Sequence, residues 1–236
     1  MLVFDPNVRC SSLIKTGDYI ESYLKDTVNV KRYMDSRYPE GMVSDRLCDH
    51  IVRLRLMALH LPMPSEDRKQ IDRMIIVHDL PEIVVGDVTA IIKKERSLST
   101  DDEVAVAEKM LNERDFALYS QFSQAEDYLL GNSLVASCDN AIIAKVLDSL
   151  EGSMYFHYAI SKWAKAGQMQ LPPGCSMEYF FGVVLDGFKC KTTIKQETGN
   201  LVNELLLSAY KYIENLWVGY EQITPDVIKK RLSMYK

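Results

Sequence analysis

The chain has 236 residues, of which 47% are hydrophobic and 26% are charged, and its formal net charge is −5 at pH 7. Such a chain can bury a sizeable core, but its acidic balance offers no basic face, so we expect no nucleic-acid polymer as a partner. Its five cysteines are widely separated and never form a Cys-x-x-Cys pair, which argues against a disulfide framework and a zinc–thiolate site.

Helices dominate the secondary structure predicted along the chain. The N-terminus lacks the layout of a signal peptide, and no apolar run reaches the roughly 20 residues that span a bilayer, so we expect a cytoplasmic protein with no membrane segment. Apolar residues recur at spacings of three and four, and Ser65, Thr100 and Thr224 mark helix starts. The predicted helices cover residues 10–25, 43–61, 66–79, 100–119, 132–165, 177–188, 199–216 and 225–235.

The clearest interruption of this pattern is the stretch "AGQMQLPPGCS" at residues 166–176, which contains paired prolines and two glycines. It predicts a main helical bundle at residues 1–165 and a C-terminal helical extension at residues 166–236, which could also pack on the same core. The predicted fold class is therefore all-α.

Two histidines fall on the apolar faces of neighbouring predicted helices. His50 lies within the stripe of the helix at 43–61, and His78 with Asp79 continues the stripe of the helix at 66–79. A single buried histidine is more often a hydrogen-bonded core residue. A buried carboxylate is costly unless it is paired or bound to a cation, however, and imidazole with carboxylate suits a divalent ion. The residues alone leave both interpretations open, a divalent metal site and a set of hydrogen-bonded core residues.

A fourth ligand should come from another helix that faces the core. The long helix predicted at 132–165 offers Asp139 and Asp148, and Ala141 and Ala144 near Asp148 would let another helix approach closely. Either carboxylate could instead face solvent. Periodicity alone leaves the choice between the two open.

The stretch "VHDLPEIVVGD" carries the most specific spacing in the chain. After the His-Asp pair, Glu82 follows three residues beyond Asp79, and Asp87 comes directly after Gly86. Together with His50 and a distant aspartate, this run resembles the signature of the HD-domain metal-dependent phosphohydrolases, and most closely their 5′-deoxynucleotidase branch. The resemblance spans about residues 30–165 and implies an HD-domain helical bundle.

The resemblance also selects the fourth ligand and implies a cofactor. That branch carries a Lys-x-x-Asp-x-x-Glu pattern, which "AKVLDSLEGSMYF" fits with Lys145, Asp148 and Glu151, so Asp148 is favoured over Asp139. The implied cofactor is one divalent metal ion, whether Mn, Co, Mg, Zn or Fe. Its implied ligands are His50, His78, Asp79 and Asp148.

Two further carboxylates are candidate catalytic residues. The resemblance implies that Glu82 positions or activates a water, or protonates the leaving oxygen. Asp87 would be the second acid–base group or a ligand for a sugar hydroxyl. The structural alternative for Glu82 is helix capping after Pro81, and for Asp87 an Asx-type turn with Gly86.

Binding of a phosphorylated substrate also needs cationic groups. Arg37 and Tyr38 correspond to the family's substrate-contacting Arg-aromatic pair, although tryptophan is common where Tyr38 stands. Arg46 and Lys93 are further candidates for substrate binding. The chain has Asp45, Arg46 and Leu47 where the family commonly has Glu-Ser-Val, which affects the expected substrate preference.

The predicted function is hydrolysis of (deoxy)nucleoside 5′-monophosphates to nucleoside and orthophosphate, by a protein that the resemblance implies is a homodimer. One alternative keeps the metal but changes the substrate, as in a nucleoside triphosphohydrolase or a phosphodiesterase of the same superfamily. Another is a helical binding module without catalysis. The intact set of histidines and carboxylates argues against that last interpretation.

Overall fold

The structure is a computed structural model that describes residues 26–32, 45–87, 101–129 and 138–165. Within these ranges the regular structure is helical, apart from one antiparallel bridge between Lys31 and Arg46. The all-α prediction is confirmed there, while the predicted helices at 10–25 and beyond 176, and the division at residue 166, lie outside the described residues. The helices are α1 (Leu47–Leu59), α2 (Ser65–Val77), α3 (Glu82–Val85), α4 (Asp101–Met110), α5 (Glu113–Leu129) and α6 (Asp139–Lys165).

Four of the helices form the core of the bundle. Helices α2 and α6 contact each other, and each also packs against α1 and α5. Short α3 contacts α4, which in turn packs on α5. Burial of the apolar stripes drives this packing, because a helix can remove its apolar face from water only by packing that face against another element. The largest fully buried side chains are Leu47, Leu54, Ile71, Met74, Ile75, Ile142 and Ile143.

Helix α2 ends just before the pair His78 and Asp79. Pro64 takes the N-cap position and Ser65 is the first helical residue, close to the start that the sequence predicts. The helix ends at Val77, so His78 occupies the C-cap and Asp79 lies in the turn that follows. The predicted end at residue 79 is therefore two residues too late, and this turn carries the His-Asp pair.

The prediction of one helix at residues 100–119 is wrong, because the structure has two helices that meet at Leu111 and Asn112. The side-chain oxygen of Asn112 accepts a hydrogen bond from the backbone N–H of Asp115 at 3.1 Å, as an N-cap does. This local bond satisfies a donor at the start of α5, so the chain starts a new helix instead of continuing α4.

The segment before α1 is attached to the start of that helix by backbone hydrogen bonds. The N–H of Arg32 donates to the carbonyl of Asp45, and the N–H of Leu47 donates to the carbonyl of Val30, both at 3.0 Å. These bonds place the Arg32 side chain beside the α1–α6 contact. No helix of the described ranges is both long and apolar enough to cross a membrane.

Candidate metal centre

Helices α1 and α2 each bring one histidine into the core. His50 lies one turn into α1 and is fully buried among the residues of its apolar stripe. His78 is 6% exposed and its Nδ1 donates to the carbonyl of Ile75 at 2.8 Å, within the last turn of its own helix. That bond puts the proton of a neutral ring on Nδ1 and leaves the lone pair on Nε2.

The two histidines meet the carboxylate of Asp148 on α6. Oδ1 of Asp148 lies 3.1 Å from Nε2 of His50 and 3.8 Å from Nε2 of His78. One ligand atom from each of these three residues lies within 4.8 Å of the other two. Asp79 borders the same region, with its Oδ1 3.0 Å from Nε2 of His78 and its Oδ2 3.5 Å from Nε2 of His50.

The Nε2 atoms of the two histidines are buried, yet neither makes a hydrogen bond of acceptable geometry to any described residue. Leaving a buried polar atom without such a bond costs about 1–3 kcal/mol. Imidazole nitrogens and carboxylate oxygens that converge on one point are a ligand set that a divalent cation satisfies. His50, His78 and Asp148 therefore fit a metal ion, and Asp79 lies beside them.

The charges around this point favour a cation. Burial alone would lower the pKa of His78, but the carboxylates of Asp79 and Asp148 outweigh it and raise the pKa to about 10. Burial likewise opposes ionisation of both carboxyls, yet their charged neighbours hold the pKa of each below its usual range. The acidic groups thus stay ionised, and positive charge between them is stabilised.

The second oxygen of Asp148 is held by a lysine of the same helix. Lys145 Nζ lies 2.8 Å from Oδ2 of Asp148 and 2.9 Å from Oε1 of Glu126, and it sits over the ring of Phe122 at 5.2 Å. Burial would lower the pKa of Lys145, but these carboxylates raise it above its ordinary value. The lysine fixes the carboxylate so that its other oxygen faces the histidines.

A second group of charged residues, which the sequence did not predict as part of the site, lies behind His50. Nδ1 of His50 hydrogen-bonds Oε2 of Glu151, and Nε of Arg53 donates to Oε1 of the same carboxylate. Arg53 also donates from one terminal nitrogen to both oxygens of Asp45, at 2.8 and 2.9 Å. Burial would raise the pKa of Glu151, but its bond to His50 and the arginine charges lower it.

The structure separates the two rival aspartates of α6. Asp148 lies with the histidines, whereas Asp139 is the exposed first residue of the helix. Of the predicted substrate-binding residues, Arg46 is exposed at the start of α1 and donates from Nε and a terminal nitrogen to Asp49 at 2.8 and 3.0 Å. Arg37, Tyr38 and Lys93 lie outside the described residues.

The two predicted catalytic carboxylates follow the His-Asp turn. Glu82 is the half-buried first residue of α3, and its N–H donates to the carbonyl of Asp79 at 3.1 Å. Gly86 ends that helix with a φ of 80°, a conformation that favours glycine, and Asp87 follows it half-buried. Burial and the charges of several carboxylates, with Glu103 first and Asp79 and Glu82 among them, raise the pKa of Tyr119 above its ordinary value.

Comparison with known proteins identifies a similar protein and a family. A 5′-deoxynucleotidase of Danio rerio, HDDC2, is 28% identical over 144 residues, which cover 58% of this chain and 64% of the relative, so the match spans less than two thirds of that protein. No solved structure matches the chain. The HD domain family matches residues 24–172, which include every described helix. This chain therefore belongs to the HD domain family.

Proposed function

We propose that the chain is a phosphomonoesterase that depends on a divalent metal and hydrolyses (deoxy)nucleoside 5′-monophosphates to nucleoside and orthophosphate. The observation that carries the proposal is the convergence of two buried Nε2 atoms, neither with a hydrogen bond to a described residue, on the shared oxygen of Asp148. The reaction class is supported by membership of the HD domain family, and the substrate class by the similarity to a 5′-deoxynucleotidase.

The ligand set of the proposal is His50, His78, Asp79 and Asp148. A divalent ion bound there would lower the pKa of a water and offset charge on the phosphoryl group. The protein holds the ligands in place with groups of its own, since His78 is oriented by the Ile75 carbonyl and Asp148 by Lys145. Such orientation matters because phosphate-ester hydrolysis depends on preorganised charges.

Glu82 and Asp87 are the proposed catalytic residues. Glu82 would position or deprotonate the attacking water, or protonate the leaving oxygen, because α3 begins just after the Asp79 turn. Asp87 would be the second acid–base group or would bind a sugar hydroxyl. Both half-buried positions are compatible with contact with a small molecule.

Further parts of the proposal rest on sequence alone. Arg37, Tyr38 and Lys93 would bind the nucleotide together with Arg46, whose exposed guanidinium would exchange Asp49 for a phosphate. A cytoplasmic location is supported by the scattered cysteines, and a homodimer by the resemblance to the family.

The test is an activity screen on the purified full-length chain. Deoxy- and ribonucleoside mono- and triphosphates, and a phosphodiester, are incubated with added Mn²⁺, Co²⁺ or Mg²⁺, and the phosphate products are identified. Asp148→Asn is compared with Asp139→Asn, a matched change on the same helix at an exposed position. We expect orthophosphate from monophosphates with the wild type and with Asp139→Asn, and none with Asp148→Asn.

The other outcomes would favour a different function or a different ligand assignment for this chain. Tripolyphosphate from triphosphates, or cleavage of the diester, with no hydrolysis of monophosphates would identify the triphosphohydrolase or phosphodiesterase alternative. Equal activity in the two aspartate variants would show that the ligand assignment is wrong. No hydrolysis and no bound metal would leave a helical binding module as the better interpretation.

A further inference from the structure

The two histidines of the metal centre are oriented by different kinds of partner. His78 is bonded through Nδ1 to the carbonyl of Ile75, a backbone group of its own helix. His50 is bonded through Nδ1 to the side chain of Glu151, which is 101 residues away in the sequence and lies on α6. The orientation of His50 therefore depends on a side chain that one substitution can remove, whereas that of His78 does not.

Glu151 decides which nitrogen of His50 carries the proton. An ionised carboxylate only accepts hydrogen bonds, so the proton of a neutral His50 ring lies on Nδ1 and the lone pair on Nε2. Nε2 is the atom that faces Asp148 at 3.1 Å. Metal-bound histidines commonly donate their other N–H to a carboxylate in this way, which fixes the ring and strengthens the ligand.

Glu151 is itself held by a compact ionic cluster, which we define as Asp45, Arg53, Arg32 and Glu151. The carboxylates of Asp45 and Glu151 are each 2% exposed, so both charges lie almost fully out of water. Arg53 joins them through hydrogen bonds to each, and its guanidinium lies 4.7 Å from the centre of the Tyr155 ring. Arg32 approaches Oε2 of Glu151 at 3.7 Å and Oδ2 of Asp45 at 4.0 Å.

The charges of this cluster balance without help from the metal centre. Two guanidinium groups face two carboxylates and offset part of the cost of burying both acids, although burial still raises the pKa of Asp45. The cluster can therefore hold the Glu151 side chain in position through Arg53 and Arg32, which do not belong to the metal centre. The planar guanidinium of Arg53 bridges Glu151 and Asp45 from two of its nitrogens, a geometry that the single ammonium of a lysine lacks.

We propose that Glu151, held by Arg53 and Asp45, is a positioning residue that fixes His50 as an Nε2 metal ligand. No member of the cluster needs to touch substrate for this role. The inference rests on the proposed metal-dependent function for its effect on turnover, but its effect on metal binding can be measured without any substrate. The rival explanation is that the cluster only joins α1 to α6.

The experiment measures Mn²⁺ affinity by calorimetry for the full-length wild type and for Glu151→Gln, Arg53→Met and Arg53→Lys. Asp115→Asn is the matched control, because Asp115 is a buried carboxylate bonded to an arginine, but between α2 and α5. We expect Glu151→Gln and Arg53→Met to weaken Mn²⁺ binding by about 10- to 100-fold. Arg53→Lys should restore part of the loss, and Asp115→Asn should bind as the wild type does.

A second readout reports the ring of His50 directly. The chain has four histidines, so the imidazole signals of ¹⁵N-labelled protein without metal can be assigned by substitution. We expect the proton of His50 on Nδ1 in the wild type and a changed His50 signal in Glu151→Gln. The His78 signal should stay unchanged, because its partner is a backbone carbonyl.

Several results would overturn the inference. Wild-type affinity in a folded Glu151→Gln protein would do so, and so would an equal loss of affinity in Asp115→Asn, since that would point to general destabilisation. A wild type that binds no Mn²⁺ would refute both the inference and the metal centre. If Glu151→Gln does not fold, the difference between Arg53→Lys and Arg53→Met decides. A wild type that binds Mn²⁺ but hydrolyses nothing would refute the proposed function, while the affinities still decide the inference.

Discussion

The α1–α6 contact and the α2–α5 contact both bury a carboxylate against an arginine, but the two carboxylates are used differently. At α2–α5, both oxygens of Asp115 are bonded to Arg73 at 2.8 and 2.6 Å, and Asn112 adds a third bond at 2.8 Å. At α1–α6, Glu151 gives one oxygen to Arg53 and the other to His50. In the first set, these bonds join Asp115, Arg73 and Asn112 only to one another. In the second set, the bond from Glu151 reaches Nδ1 of His50, and the other nitrogen of that ring, Nε2, faces the metal centre.

This difference shows what distinguishes a structural ion pair from part of a site. Burial of a charge does not, because Asp115 and Glu151 are 1% and 2% exposed. What differs is whether the chain of hydrogen bonds ends at a satisfied group or at a buried atom that still needs a partner. At His50 it ends at such an atom, among the residues that the structure describes.

The largest effect on folding should come from removing the cation of the Arg73–Asp115 pair. We expect Arg73→Met to lower the free energy of unfolding by about 2 to 4 kcal/mol, less than for a fully buried pair because the Arg73 side chain is 38% exposed. Urea unfolding measures the loss. Arg55→Met is the control, since its pair with Asp72 is exposed and should contribute less than about 1 kcal/mol. Equal losses would remove the distinction between buried and exposed pairs.

Added metal should stabilise a variant of the α2–α5 contact as much as the wild type, but it should not stabilise a variant that lacks a metal ligand. At a free Mn²⁺ concentration 100 times the dissociation constant, binding should stabilise the wild type by about 2.7 kcal/mol. The same increment is expected in Asp115→Asn, and none in Asp148→Asn, because only the latter change removes a metal ligand. Unfolding with Mn²⁺ and then with excess chelator provides the measurement. A full increment in Asp148→Asn would contradict the assignment.

A smaller effect should appear as a pH dependence of the stability that the Arg73–Asp115 pair contributes. The bonds from Arg73 outweigh burial and hold the pKa of Asp115 below its usual range. A lowered folded-state pKa contributes stability above the unfolded-state value of about 3.9, and this contribution is lost as the pH falls through the folded-state value. The stability difference between the wild type and Asp115→Asn should therefore shrink below about pH 4. Urea titrations from pH 6 to pH 3 test this, and a constant difference would contradict it.

The smallest effect on stability is expected at the exposed start of α1. Arg46→Gln breaks a surface pair with Asp49 and should not measurably change unfolding. If Arg46 binds the phosphate as proposed, KM for the monophosphate should rise while kcat stays the same. Arg68→Gln, a change at a half-buried arginine of α2 that donates to the Leu59 carbonyl, is the control. An unchanged KM would remove Arg46 from the substrate site.

The sequence predicted the parts of the site that follow helical periodicity. His50 and His78 were placed on apolar faces by spacing alone, and both are buried. The choice of Asp148 over Asp139 needed the family pattern, because periodicity treats both as members of one helix. The break at Asn112 was missed because a single side-chain cap overrides the helical pattern on either side.

The role of Glu151 could not be predicted for a different reason. The Lys-x-x-Asp-x-x-Glu pattern contains this residue, but its partners His50 and Arg53 lie about a hundred residues earlier in the sequence. Such contacts depend on how the helices pack. One available signal was that His50 and Arg53 are three residues apart on one helix, so a single carboxylate can reach both.

The bridge between Lys31 and Arg46 has a consequence for how proteins of this kind can diversify. Arg32 and Asp45 are separated in the sequence but joined by a backbone hydrogen bond, so these two residues lie side by side next to the start of α1. Both ends belong to the segment that braces Glu151, and neither carries a proposed metal ligand. A change in chain length between Arg32 and Asp45 would begin and end at paired residues, and no proposed metal ligand lies between them, so we expect the metal centre to tolerate such a change.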